Sequence, residues 1–148
     1  RKIHDDAMLL IVGSGPEQER LRTLIASLDL HESVIMLPWA RDVVSYYKTC
    51  DLYVQPSRYE GWGLAVVEAM ACGCPVSCSN ATSLPEIVQD SGVLFDPASP
   101  ADMADKIWSV WKDASLRECI RNKGLERAKE FDWATTVRKT VATYQMAR

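Results

Sequence analysis

Histidine, which many metal sites and catalytic triads use, is scarce in the sequence. Its only histidines are His4 and His31, and neither lies near a motif serine, which excludes a Ser-His-Asp arrangement. Cys72, Cys74 and Cys78 cluster, but as C-x-C-x3-C, whereas zinc sites usually pair C-x2-C with further Cys or His ligands. We therefore interpret the clustered cysteines as core-packing residues.

Other absences exclude whole classes of protein. The five cysteines are an odd number in a chain large enough to fold without disulfides, which predicts reduced thiols and a cytoplasmic location. No apolar run approaches the ~20 residues needed to span a bilayer, and no signal peptide opens the chain. The net charge of −3 and the pI near 5.4 lack the basic excess of nucleic-acid-binding proteins, so we expect no nucleic acid partner.

What remains is the composition of one globular domain over residues 1–148, with 47% hydrophobic and 25% charged residues. Residues 1–4 lead almost directly into a strand pattern, so we expect the chain to be a fragment. Short apolar runs alternate regularly with helical patterns, which predicts an α/β fold with a doubly wound parallel sheet and helices on both faces. The predicted strands are 8–12, which is expected to be buried, 34–37, 51–56, 75–78 and 92–95.

The residues after 100 are predicted to be helical, and Asp132 suits the N-cap of a last helix. Apolar stripes on these helices, such as Trp133, Val137, Val141 and Tyr144, are interpreted as core faces.

Residues 56–76 carry the strongest chemical signal. Gly61 and Gly63 allow tight turning before a helix whose first free amides, from Gly63 through Leu64 and Ala65, attract anions. Glu60 lies in the loop and Glu68 one to two turns into the helix. Apart from Glu68 this helix is apolar, which predicts that it is buried nearly all round and that Glu68 needs a partner or a water-filled opening.

The pattern Pro-Ser-x-x-Glu-Gly-x-Gly-Leu-x-x-x-Glu-Ala-Met-Ala-x-Gly-x-Pro-Val over residues 56–76 closely resembles the donor-site signature of retaining GT-B glycosyltransferases of the group 1 family. Residues 10–16, 83–86 and 131–133 resemble the same family, so the likeness covers almost the whole chain. It implies the C-terminal, nucleotide-sugar-binding Rossmann-like domain of a GT-B enzyme.

The resemblance assigns roles to individual residues. Glu68 matches the glutamate that grips the ribose diol, and Glu60 matches the glutamate that faces the donor sugar and stabilises positive charge at the anomeric carbon. The amides of Gly61, Trp62 and Gly63 match those that contact sugar hydroxyls, although a smaller aromatic ring is common at the position of Trp62. The loop that carries Trp39 and Arg41 is expected against the base. The loop at Gly13 is either a plain strand–helix turn or lies beside the phosphates.

The same resemblance implies no cofactor and no metal, since amides and basic side chains neutralise the diphosphate. Those basic residues belong upstream of residue 8, and an N-terminal GT-B domain supplies the acceptor site, so the isolated chain is expected to be inactive. Peripheral membrane association of the full-length enzyme is compatible with this assignment.

Three alternatives stay open on the same scaffold: a glycogen-synthase-like polymerase, a nucleotide-sugar epimerase and a non-catalytic GT-B half. Glycoside hydrolysis is disfavoured, because it needs an acid and a nucleophile across one bond, whereas Glu68 is assigned to the nucleotide side.

Overall fold

A computed structural model of the protein describes residues 7–147. The chain divides into two compact units, Arg1–Val43 and Val44–Arg148. Among residues 7–147, no helix has both the length and the hydropathy that crossing a membrane requires.

The first unit contains a parallel pair of strands. β1 (Leu9–Val12) and β2 (Val34–Leu37) align Leu9 with Val34, and α1 (Gln18–Ser27) connects them. The prediction that residues 8–12 form a buried strand is wrong in its burial, because Leu9 remains 51% exposed. Two strands and one helix cannot cover both faces of the ladder.

The second unit repeats strand and helix from α2 onward, and its three strands form a parallel ladder in the order β3–β4–β5. Parallel strands flanked by helices confirm the predicted fold class. The elements of this unit are α2 (Val43–Thr49), β3 (Tyr53–Gln55), α3 (Leu64–Ala71), β4 (Val76–Ser79), α4 (Leu84–Val88), β5 (Val93–Phe95), α5 (Pro100–Lys112), α6 (Ala114–Ala128) and α7 (Trp133–Met146).

Helix α3 lies at the centre of the core of this unit. Its Val66, Ala69 and Met70 are fully buried, and the helix packs on α6, α4, β3 and β4. Gly124 of α6 lies beneath Met70, and a β-carbon at Gly124 would approach Met70 Cγ to 3.3 Å. Because Gly124 has no side chain, α6 can approach α3 closely at this point.

The prediction that α3 is buried nearly all round is wrong for one face. Leu64 is 64% exposed, and Glu68 and Ala71, which follow it at helical spacing, are exposed as well. This row of side chains is on the exposed face of the helix. Glu68 therefore lies at the surface, where its carboxylate stays hydrated and needs no partner to offset a cost of burial.

The three C-terminal helices begin at side-chain caps. Ser99 accepts a hydrogen bond from the Asp102 amide at 3.2 Å, Asp113 from the Leu116 amide at 2.9 Å, and Asp132 from the Thr135 amide at 2.8 Å. The predicted N-cap at Asp132 is therefore confirmed.

The apolar stripe of α7 does not face a core. Trp133 is 81% exposed, and Val137, Val141 and Tyr144 are exposed too. The interpretation of this stripe as a core face is wrong, because the periodicity of a helix shows which side chains share a face and not what covers them.

Candidate functional site

The loop between β3 and α3 is held at its central residue by the start of α4. The Glu60 amide donates to Thr82 Oγ1 at 3.1 Å, and the Glu60 carbonyl accepts from Ser83 Oγ at 3.0 Å. These two hydrogen bonds, to the adjacent residues Thr82 and Ser83, fix the peptide groups on either side of Glu60. The fold therefore sets the direction in which the Glu60 side chain leaves the backbone.

The Glu60 carboxylate receives two hydrogen bonds on one of its oxygens. Gln55 Nε2 donates to Oε2 at 3.3 Å and Ser57 Oγ donates to the same oxygen at 3.5 Å. Gln55 Nε2 also donates to Ser57 Oγ at 2.7 Å, and the Tyr53 hydroxyl donates to Gln55 Oε1. Both bonds are on Oε2, which leaves Oε1 outside this set of contacts.

The Glu68 carboxylate contacts a tyrosine of α2. The Tyr47 hydroxyl donates to Glu68 Oε2 at 3.5 Å, and the Tyr47 ring meets the Tyr53 ring edge to face with the centroids 5.4 Å apart. The two carboxylates are thus the ends of one continuous row of contacts that runs through two tyrosines and Gln55.

Both tyrosines are neutral hydrogen-bond donors near pH 7. Burial raises the pKa of Tyr47 to about 12, and the negative charge of Glu68 adds to the effect. Burial also raises the pKa of Tyr53, with further contributions from Tyr47, Glu60 and Glu68.

In sequence, the backbone donors at the start of α3 lie between the two glutamates. Gly63 is the N-cap, with φ 90° and ψ 43° in the left-handed region, and the helix begins at Leu64. The Val66 amide donates to the Gly63 carbonyl at 3.0 Å and begins the hydrogen-bonded ladder, so the amides of Gly63, Leu64 and Ala65 precede it. Such an end of a helix suits an anion.

The two glycines of the loop have different roles. Gly63 has a positive φ that favours glycine, whereas the φ of Gly61 lies outside that region. The left-handed backbone conformation that favours glycine is therefore used at Gly63 and not at Gly61, although the chain bends at Gly61.

The indole of Trp62 contacts an aromatic ring three residues after the end of α6. Its ring contacts the Phe131 ring edge to face with the centroids 5.3 Å apart, and the Arg127 guanidinium lies 4.7 Å from the Phe131 centroid. Arg127 also donates to the carbonyls of Ile87 and Glu86, both at 2.9 Å. One arginine therefore joins α6, the end of α4 and the aromatic pair.

Gly13, Trp39 and Arg41 belong to the first unit. The Gly13 amide, directly after β1, donates to the Leu37 carbonyl at 2.9 Å, and Trp39 and Arg41 follow β2 with exposed side chains. Their assigned roles stay predictions.

Sequence reasoning missed the supporting residues of the two glutamates, which are Tyr47, Tyr53, Gln55, Ser57, Thr82 and Ser83. Three of them carry a usable signal, because positions 53, 55 and 57 alternate along a strand and place polar groups on one side of its end. Tyr47 carries no such signal, because the sequence of its helix is that of an ordinary packing helix.

The clustered cysteines do not form a metal centre. Within residues 7–147, no group of three or more His, Cys, Asp or Glu side chains is arranged to hold a metal ion. Cys74 and Cys78 are buried in the core, as predicted, whereas Cys72 is only half-buried. Burial raises the pKa of the Cys74 and Cys78 thiols to about 12.

Several known proteins are similar to this chain in sequence and in fold. The O-antigen chain mannosyltransferase B of Escherichia coli is 41% identical over 105 residues, which are 71% of this chain and 28% of that protein. The crystal structure of HepE from Anabaena in complex with UDP has a TM-score of 0.86 at 25% identity, covering 98% of this chain and 42% of that one. The chain thus spans less than half the length of these proteins.

A C-terminal domain solved by itself is also similar. The C-terminal domain of a glycosyl transferase group 1 family protein from Francisella tularensis has a TM-score of 0.78 at 28% identity, over 88% of this chain and 72% of that one. The fold is thus the Rossmann-like half of a GT-B glycosyltransferase. Residues 1–127 match the sequence model of the family described as "Glycosyl transferases group 1", and the chain belongs to that family.

Proposed function

We propose that the chain is the donor-binding half of a retaining glycosyltransferase, which binds a nucleotide-diphosphate sugar and transfers the sugar to a glycan, lipid or small-molecule acceptor. The observation that carries the proposal is the arrangement around the start of α3. Along the chain, Glu60 precedes and Glu68 follows the Gly63, Leu64 and Ala65 amides that come before the helical ladder.

The diphosphate is the ligand that best suits these amides, because the end of the helix presents both free N–H groups and the positive end of the helix dipole. An exposed carboxylate one turn further along, Glu68, suits the vicinal diol of a ribose, which it grips with both oxygens. The complex of HepE with UDP supports a nucleotide ligand in this family. The proposal requires no metal ion.

Glu60 faces the other part of the donor. One carboxylate oxygen is held by Gln55 and Ser57, so the other is available to sugar hydroxyls and to positive charge that develops at the anomeric carbon. An anion held in place before the reaction stabilises that charge without rearranging at the moment of transfer.

The acceptor is proposed to bind a second, N-terminal Rossmann-like domain of the full-length protein. The present chain holds the donor side only, and we expect it to transfer no sugar when produced alone. Mixing the chain with nucleotide sugars should therefore give no nucleotide diphosphate above background.

Substitution of Glu60 in the full-length protein tests the function. With a panel of nucleotide sugars, Glu60→Gln should lower the rate of nucleotide diphosphate release by about 100-fold or more, because a neutral amide cannot stabilise the developing charge. The Kd for the nucleotide diphosphate, measured by calorimetry, should stay within about threefold. Glu86→Gln is the matched control, an exposed glutamate on α4 that should leave the rate unchanged.

Glu68→Gln completes the test. Loss of a charged partner to the ribose should weaken nucleotide diphosphate binding about 10- to 100-fold. If Glu60→Gln is as active as the parent protein, or if none of the nucleotide diphosphates binds, the proposal is wrong.

A further inference from the structure

We infer that Tyr53 and Gln55 are positioning residues for Glu60: the Tyr53 hydroxyl fixes the orientation of the Gln55 amide, which in turn fixes the Glu60 carboxylate. The inference rests on the proposed role of Glu60 and adds to it the residues that act on Glu60 without touching the substrate.

The geometry begins with the backbone of β3. Tyr53, Gln55 and Ser57 alternate along the chain and direct polar groups to one side of the strand end. The buried Ser79 of β4 donates to the Gln55 carbonyl at 3.3 Å, and β4 is paired with β3 through Gln55 and Cys78. The backbone of Gln55 is therefore fixed, and its side chain is the part that can be oriented.

A glutamine side chain has an acceptor at one end of its amide and donors at the other, so its orientation determines what it offers. Tyr53 donates to Oε1, which turns Nε2 toward Ser57 and Glu60. The opposite orientation would place the amide oxygen against a carboxylate oxygen, and two acceptors repel. By donating to Oε1, the Tyr53 hydroxyl adds to this preference and stabilises the orientation in which Nε2 faces the carboxylate.

This selection requires a tyrosine that donates at all working pH values. Burial, together with the nearby charges of Glu60 and Glu68, raises the pKa of Tyr53, so the hydroxyl keeps its proton. A deprotonated tyrosine would accept instead and would favour the reversed amide.

Tyr47 offers an internal comparison. Its hydroxyl donates to Glu68, and it meets Tyr53 through ring contact only. The two hydroxyls therefore act on different carboxylates. Removing the Tyr53 hydroxyl should affect the chemical step, while removing the Tyr47 hydroxyl should affect nucleotide binding.

The experiment uses the full-length protein with the nucleotide sugar that it turns over. Tyr53→Phe keeps the ring contact and should lower kcat about tenfold, with the Kd for the nucleotide diphosphate within about twofold. Tyr47→Phe should raise that Kd about threefold and leave kcat close to the parent value. Tyr46→Phe, on the same helix as Tyr47, is the control and should change neither quantity.

A double-mutant cycle separates positioning from structure. Gln55→Leu should lower kcat at least as much as Tyr53→Phe, and the double variant should be no slower than Gln55→Leu, because Tyr53 acts through Gln55. Thermal unfolding of each variant monitors the fold. Additive losses of kcat in the double variant, or an unchanged kcat in Tyr53→Phe, would overturn the inference.

The inference and the proposed function fail in different ways. Activity in Glu60→Gln removes the proposed function and this inference with it. An inactive Glu60→Gln beside a fully active Tyr53→Phe leaves the function standing and removes the inference alone.

Discussion

At the scale of single residues, the two glycines of the Glu60 loop differ in what they tolerate. A β-carbon at Gly63 would lie 2.9 Å from Leu84 Cδ2 and 3.1 Å from Ile87 Cδ1, on a backbone with φ +90°. A β-carbon at Gly61 would meet nothing within 4 Å, and the backbone of Gly61 is outside the region that favours glycine. The steric constraint lies at the second glycine.

Gly63→Ala should destabilise the protein by about 2–4 kcal/mol, through the strained φ and the overlap with Leu84 and Ile87. Gly61→Ala should change the free energy of unfolding by about 0.5 kcal/mol or less. Urea denaturation of both variants measures the difference. Equal stability of the two variants would contradict the assignment of the constraint to Gly63.

The sequence singles out this pair of glutamates, but it does not single out the residues that contact them. Glu68 stands out as the one charge in the apolar residues 64–74, and Glu60 stands out because it directly precedes the Gly61-Trp62-Gly63 turn. Their partners are far away along the chain: Thr82 contacts Glu60 across 22 residues and Tyr47 contacts Glu68 across 21. Such long-range hydrogen bonds between common residue types leave no local pattern to find.

At the scale of secondary-structure elements, Arg127 joins helices that are distant in sequence. Its side chain is only 15% exposed, and it donates to the last carbonyls of the five-residue helix α4 while it covers the Phe131 ring. A short helix has few internal hydrogen bonds, so a cation at its C-terminal end contributes a large share of its stability.

Arg127→Lys should therefore destabilise the protein by about 1–3 kcal/mol, since one ammonium group cannot serve both carbonyls and the ring in the same geometry. Chemical denaturation measures the change. Arg138→Lys, at an exposed position of α7, is the matched control and should be close to neutral. If the two variants are equally stable, the guanidinium geometry at Arg127 does not matter.

Periodicity predicted where the elements are and which side chains share a face. It misjudged α3 and α7 for the same reason. In α3 the exposed row begins at Leu64, and in α7 it begins at Trp133, although both rows are largely apolar. Which face is covered depends on elements elsewhere in the chain, and the local pattern carries no information about them.

At the scale of the whole molecule, several acids remain protonated inside the second unit. Burial raises the pKa of Cys74 and Cys78, and of Tyr47, to about 12 in each case. In the unfolded chain thiols ionise near pH 8.5 and tyrosine near pH 10. At pH values between the unfolded-state pKa of each group and its native-state pKa, the native state binds more protons than the unfolded state. The free energy of unfolding must therefore fall as the pH rises.

We expect the free energy of unfolding to be unaffected by these groups below about pH 8 and to decrease from about pH 9 to 12, by at most about 1.4 kcal/mol per pH unit for each group. Urea denaturation at several alkaline pH values tests this. Cys78→Ala should flatten the decrease, whereas Cys119→Ala, at an exposed thiol, should not. A stability that rises across this range would show that the sign is wrong.

The attachment of Glu60 to Thr82 and Ser83 bears on how this protein can be recombined with its relatives. Because the backbone of the first acidic residue is bonded on both sides to the next crossover, residues 56–63 are not a self-contained module. A chimera that imports this loop from another group 1 enzyme keeps the backbone of its glutamate in place only where positions 82 and 83 carry hydroxyl side chains. The loop before α3 and the loop before α4 are therefore best transplanted together.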